Sequence, residues 1–413
     1  MRAYAIFLLA VTVSLAAWGG ETLSPEALLP GHEGADAYKP VAAFGEGVYL
    51  VVWEAGRDKG ADIVGVRVDK SGKVLDAKPF VISAAKDCQE RPRIASDGKD
   101  FLVVWQDLRN GKDYDLYAAR VTPAGKVLDA DGIAISAEAH NQAQAAVCFD
   151  GKAFQVLWRD MRDGKDYDVY SGRVSADGRP LDGTGGLVMK RLSWIGMNAS
   201  GIGMPAVGAN ARGDTIAAAT STRSGGIIAW NMRGGKADGK PVRVQSGARI
   251  SNLGWEPTFA SDGDGFIAAF TTLRGTNKGG KVPGSGLVAF DAAGKPRGKP
   301  VALSGKGAAP WSDFVRNPSV AWDGTAYVAA WDIILGEGNG TTSHWYDAVF
   351  LRRVSRGGRP QGANTPVAGE KGSPAYHPAV ASDGAGRSLV AYERHPRTGD
   401  VPIRIAFRLL RAR

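Results

Sequence analysis

The chain has 413 residues, 44% apolar and 23% charged, with 56 Gly, 21 Pro, 11 Trp and 2 Cys. That composition describes a core-forming, turn-rich globular protein and excludes a disordered chain, a collagen and a disulfide-stapled miniprotein. The formal net charge of +9 would suit a polyanion, yet no run of five or more Lys and Arg occurs. The charge therefore reads as solubility with weak polyanion affinity, and no specific nucleic-acid partner is expected.

In chain order, Arg2 precedes a mostly apolar run from Ala5 to Ala17 and the small residues Gly19 and Gly20, which is the pattern of a secretory signal peptide over residues 1–20. Thirteen residues are too few to span a bilayer, which needs about 20. No later segment is apolar for long enough, so no transmembrane segment is expected. Residues 21–413 are expected to form one domain, periplasmic or extracellular after cleavage.

From Pro40 onward one phrase repeats: Pro, an alternating apolar stretch, a tight turn, then an apolar strand ending in Trp, as in Pro92 to Ser96, Asp97-Gly98 and Phe101 to Trp105. Copies start at Pro40, Pro92, Ala145, Pro205, Pro257, Pro318 and Pro378. Each holds four short strands, here a to d, with turn signals between them. Asp-Gly joins a to b in five copies, at Asp97, Asp150, Asp262, Asp323 and Asp383. There a glycine makes a hairpin with positive φ inexpensive. Gly followed by Lys or Arg joins c to d at Gly72, Gly125, Gly178, Gly294 and Gly358. Four antiparallel strands repeated seven times, with no helix-period segment, predict an all-β, seven-bladed β-propeller. The seventh copy runs out after three strands, while Glu21 to Pro30 has no repeat of its own. The N-terminal segment is thus expected to supply the missing strand d and leave no open edge.

The phrase of apolar strand, Trp, acidic residue and Arg, followed by an Asp and a second strand, resembles the repeats of bacterial secreted seven-bladed β-propellers. The resemblance spans nearly the whole mature chain. It implies the fold and leaves the activity open, since propellers host many unrelated functions.

In such a ring the a–b and c–d turns share one face, and the b–c turns and d–a crossovers share the other. The first face carries solvated hairpins with Lys73, Lys126, Arg179, Lys295 and Arg359. All five histidines fall on the second: His32, His140 and His377 in crossovers, His344 and His395 in b–c turns. So do Trp194, Trp255, Trp311 and Trp345, in the longest loops of the chain, which is where a rigid scaffold usually binds. Beside Asp313, Glu337, Asn339 and Asp347 these rings would suit a carbohydrate platform; the alternative is that long loops bury their own aromatics.

The residue before each strand a is expected at the channel mouth: Lys39, Arg91, Gln144, Met204, Glu256, Asn317 and His377. Seven different residue types suit one asymmetric ligand, or drift at exposed positions. Glu256, Asp313 and His377 are the candidates for acid–base chemistry. Trp194, Trp255, Trp311, Trp345, Arg91, Lys39 and Asn317 are the candidates for ligand contact.

Arg57, Arg109, Arg162, Arg223 and Arg274 follow strand b at constant spacing. As a repeated feature they are read as structural, pairing with Asp62, Asp115 or Asp168 at the start of strand c. Trp53, Trp105, Trp158 and Trp331 are read as interblade packing. The histidines show no zinc spacing, and no nucleophile elbow or phosphate loop occurs, so neither metal nor cofactor is expected. Cys88 and Cys148 sit at different heights in neighbouring blades and are expected to stay unbridged. The sequence thus points to a monomeric, secreted binding or scaffold module whose partner is a polysaccharide or a surface or secreted protein. A glycoside-active hydrolase or lyase is the alternative.

Overall fold

The computed structural model describes residues 21–56, 60–190, 202–221, 226–245, 257–271, 285–304, 315–337, 344–397 and 401–412. These form seven antiparallel sheets, each with a simple meander order of strands a, b, c and d. Strands a are Ala37–Gly45, Gln89–Ser96, Gln142–Phe149, Ile202–Ala209, Thr258–Ser261, Val315–Trp322 and Ala375–Ser382, for blades 1 to 7. Each touches the strand a of the next blade, and the last touches the first, so the ring closes. Among the described residues there is no helix. The chain is a seven-bladed β-propeller.

Strands b are Val48–Ala55, Phe101–Asp107, Ala153–Asp160, Thr215–Ser221, Phe266–Thr271, Tyr327–Glu337 and Arg387–Arg394. Their central residues are mostly apolar because each blade is covered on both faces, and successive side chains point to opposite neighbours. In blade 1, Tyr49, Val51 and Trp53 pack against Leu389 and Phe407 of blade 7. Leu50 and Val52 pack against Phe101, Val103 and Trp105 of blade 2. The core is therefore seven separate clusters, one between each pair of adjacent blades. The tryptophans of strand b are interblade packing, and Tyr392 takes their place in blade 7.

Closure is made by two short N-terminal strands. Thr22–Leu23 pairs with Arg411 and Leu410, and Ala27–Leu28 with Phe407 and Ala406, all on strand c of blade 7 (Arg404–Arg411). Between them Glu26 Oε2 accepts a 2.7 Å hydrogen bond from the Tyr392 hydroxyl. Leu29 is buried in the cluster between blades 7 and 1.

The Asp-Gly turns have the expected backbone: Gly98, Gly151, Gly263, Gly324 and Gly384 all have positive φ. The Gly-Lys turns carry an additional clasp. In blades 1 to 3 an arginine of strand c grips an Asp at the start of the d segment, through Arg67–Asp76, Arg120–Asp129 and Arg173–Asp182 at 2.7–2.8 Å. Cys88 and Cys148 are both free.

One expectation about strand a needs correction. Pro40, Pro92, Pro318 and Pro378 are not strand starts, because the strands begin three residues earlier and the register slips at the proline. The proline occupies a bulge, where its missing N–H removes no ladder bond.

Candidate functional site

The residue before that proline, or before Ala145 in blade 3, is left-handed in five blades: Lys39 (φ 49°), Arg91 (53°), Gln144 (56°), Asn317 (47°) and His377 (47°). Non-glycine residues with long side chains seldom adopt this conformation, which costs on the order of 1 kcal/mol each. Five of the residues expected at the channel mouth are thus bulge residues within strand a. His377 in particular belongs to the strand Ala375–Ser382 and not to a crossover.

A second ring supports the first. The residue that follows the strand-b aromatic is Glu54, Gln106, Arg159, Asp332 or Glu393, with Thr220 and Thr271 at the equivalent positions of blades 4 and 5. Polar side chains end strands that are otherwise apolar, and Glu54, Gln106, Arg159, Thr271, Asp332 and Glu393 are buried. In three blades they hold the strained bulge of the next blade by its backbone. Lys39 N donates to Glu393 Oε1 (2.8 Å), Arg91 N to Glu54 Oε2 (3.0 Å) and Gln144 N to Gln106 Oε1 (3.3 Å). The same ring also meets the bulge side chains of its own blade. Lys39 Nζ donates to Glu54 (3.1 Å), Asn317 Nδ2 to Asp332 (2.8 Å) and Arg159 Nη1 to Gln144 Oε1 (2.5 Å).

The ring is electrically uneven. In blade 7, Glu393 lies between His377 Nδ1 at 2.7 Å and His395 Nε2 at 3.2 Å. Burial opposes its charge, but the two imidazoles and the Lys39 N–H prevail and hold its carboxyl down at about 2. Burial likewise disfavours the charged His377, and Glu393 overcomes this to raise its pKa above the usual value. In blade 6, Asp332 is gripped by Arg316, which also binds Asp347. In blades 1 to 3 cations gather: burial and the charge of Arg91 depress Lys39, and the same two causes bring Arg93 down to about 10.

Of the remaining sequence candidates, Trp194, Trp255, Trp311, Glu256 and Asp313 lie outside the described residues, as do residues 1–20 and Arg57, Arg223 and Arg274. The backbone of Trp345 is placed. It pairs with Gly336 within an extended hairpin of strands Tyr327–Glu337 and His344–Val354, so it sits in strand c and not in a b–c turn. Met204 lies at the register slip of blade 4.

The two described arginines after strand b are structural, with a different partner from the one expected. Arg109 forks onto Asp107 through Nε (2.9 Å) and Nη2 (2.7 Å), and Arg162 onto Asp160 (2.9 and 2.6 Å). The same carboxylates accept the indole N–H of Trp105 (2.7 Å) and Trp158 (2.8 Å). Each guanidinium then lies over a tyrosine of strand c, Tyr117 at 3.9 Å and Tyr170 at 4.0 Å. The unit is Trp-x-Asp-x-Arg, closed by residues two apart that a strand places on one face. Asp115 instead accepts the Asn110 amide at 3.0 Å. Where Ala55 or Ile333 replaces the Asp, the Trp53 and Trp331 indoles have no partner among the described residues.

No family model matches the chain, and no curated protein matches it. Solved structures do. A protein of unknown function from Dyadobacter fermentans is 12% identical, covering 96% of this chain and 100% of its own, with a TM-score of 0.48. A Trypanosoma rangeli sialidase in complex with 2,3-difluorosialic acid is 10% identical over 95% of this chain and 59% of its own, with a TM-score of 0.49. The catalytic domain of a Coprinopsis cinerea α-L-arabinofuranosidase is 10% identical over 79% and 95%, with a TM-score of 0.39. The propeller assignment rests on this chain's own strand pairing.

Proposed function

We propose that the protein is an exported binding module that takes its ligand at the channel mouth, on the face of the b–c turns and d–a crossovers. The observation that carries this reading is the strained bulge ring: five left-handed, non-glycine residues with five different side chains, backed by buried polar groups. A ring kept only for symmetry would use glycine and would repeat. Strain held in place by surrounding structure collects at ligand sites. Export is inferred from the apolar run of residues 5–17.

A saccharide is the ligand class we favour, because in sequence Trp194, Trp255 and Trp311 fall between strand d of one blade and strand a of the next, and Trp345 lies in the b–c hairpin of blade 6. Aromatic faces beside carboxylates and amides suit sugar rings and hydroxyls. The glycoside-active alternative has less support. Each described carboxylate of the ring is engaged by a cation, an amide or a backbone N–H, and Glu393, ionised down to about pH 2, is a poor general acid.

The test is a glycan-array and polysaccharide screen of residues 21–413 beside two variants, Lys39→Ala with His377→Ala, and Trp255→Ala with Trp311→Ala. The reading expects hits that vanish in the first variant. Loss in the second as well would assign the loop tryptophans to the site. Hits that survive the first variant would move the site away from the mouth.

A further inference from the structure

The second ring contains one inversion. Its acids, Glu54, Asp332 and Glu393, each have a basic side chain within ion-pair distance, Lys39, Arg316 and His377, whereas blade 3 carries Arg159. Arg159 is 6% exposed, on a strand packed between blades 2 and 4. Its Nη1 donates to Gln144, and its guanidinium lies 4.0 Å from the ring centre of Tyr167. Its Nε and Nη2 have no hydrogen-bond partner among the described residues. A buried guanidinium without a carboxylate is an expensive feature to retain.

Nε and Nη2 form the side edge of the guanidinium, the geometry that grips two oxygens of one carboxylate or phosphate. This chain uses that same edge twice, for Arg109 on Asp107 and Arg162 on Asp160. The hydrogen bonds connect Arg159 to the mouth: through Gln144 to Gln106, and from Gln106 Nε2 to Glu90 (3.1 Å), next to Arg91. Arg91 is the bulge residue of blade 2, and Arg93 follows it two residues on. Arg91 repels the charge of Arg159, whose pKa burial first and then Arg91 bring down to about 10 despite Tyr167. Arg159 thus has no carboxylate in hydrogen-bond contact among the described residues, and the chemical complement of its open edge is an anion.

We infer that Arg159 anchors one anionic group of the ligand, a carboxylate or a phosphate, on its Nε–Nη2 edge at the blade 2–3 side of the channel mouth. This rests on the channel-mouth reading and makes it specific: the ligand is acidic, such as a uronic-acid-bearing or phosphorylated saccharide. Tyr167, from the turn between strands b and c, covers a face of the guanidinium and leaves its Nε–Nη2 edge for the anion. No group is transferred, and the interaction is binding alone.

The experiment titrates inorganic phosphate and, separately, glucuronate into residues 21–413 and into Arg159→Gln, with sodium chloride at matched ionic strength as the control. Calorimetry reads affinity and thermal melting reads stabilisation. Wild type is expected to bind at least one of the two anions, and the one it binds names the source. Arg159→Gln weakens that binding on the order of tenfold to a hundredfold, the range for losing a charge-assisted pair of hydrogen bonds. The variant folds, because glutamine keeps an amide for Gln144 and removes an uncompensated charge; its unliganded melting temperature equals or exceeds that of wild type. Equal anion binding in both proteins overturns the inference, as does no binding of either anion to wild type. If neutral saccharides from the screen still bind in that last case, the channel-mouth reading stands without the anion.

Discussion

Removing residues 21–29 is expected to destabilise the propeller by about 5 kcal/mol or more, a large part of the total for a typical domain. The loss has three sources. Leu29 leaves its buried place between blades 7 and 1, worth about 2–3 kcal/mol. The ladder bonds to strand c of blade 7 disappear, at roughly 1 kcal/mol each. The Tyr392 hydroxyl and Arg353 also lose Glu26 and Glu21. The truncation further turns Arg404–Arg411 into a free edge, which invites pairing with another chain. Thermal melting and sedimentation check both effects: a lower melting temperature and concentration-dependent association are expected. A truncated chain that stays monomeric with the wild-type melting temperature would show that the closing strands are dispensable.

Asp160→Ala is expected to cost about 3–5 kcal/mol, the range for breaking a buried ion pair by removing one partner. The carboxylate, almost fully buried, serves the Trp158 indole and the Arg162 fork at once, so its loss leaves both without an acceptor. Asp160→Asn retains one acceptor and should fall between. Asp160→Ala with Arg162→Ala should cost less than the sum of the single variants, since the second removes the charge that the first leaves unpaired. Urea unfolding of the four proteins measures this; strict additivity would mean that the two side chains act independently.

The fold was legible in the sequence because the repeat is strong at every level. Asp-Gly turns, Gly-Lys turns and apolar strands ending in Trp recur at matching offsets, and each feature has a local cause. The need for a closing strand was legible too, from a seventh copy with three strands and an unmatched segment at Glu21 to Pro30. The partner of Arg109 was not, because proximity in sequence to Asp107 and across the hairpin to Asp115 looks alike until the strand's alternation decides it. The supporting ring was missed altogether. Its signal was present, a polar residue directly after the strand-b aromatic in six blades, but its members mix carboxylates (Glu54, Asp332, Glu393) with Gln106, Arg159 and Thr271 and so do not register as a repeat. The bulge was hidden as well, since Pro at a strand start and Pro at a bulge follow the same rule of a missing ladder donor.

The central claim is that the bulge residues are kept for a ligand and not for the fold, and the melting temperature of Arg91→Gly tests it most directly. Glycine accepts a φ of 53° without a side-chain penalty, and the change also removes repulsion on Lys39, Arg93 and Arg159. The expected result is a melting temperature close to that of wild type, since relief of the left-handed strain, on the order of 1 kcal/mol, offsets the greater unfolded-state entropy of glycine. A loss of about 2 kcal/mol or more would make Arg91 part of the scaffold and contradict the claim.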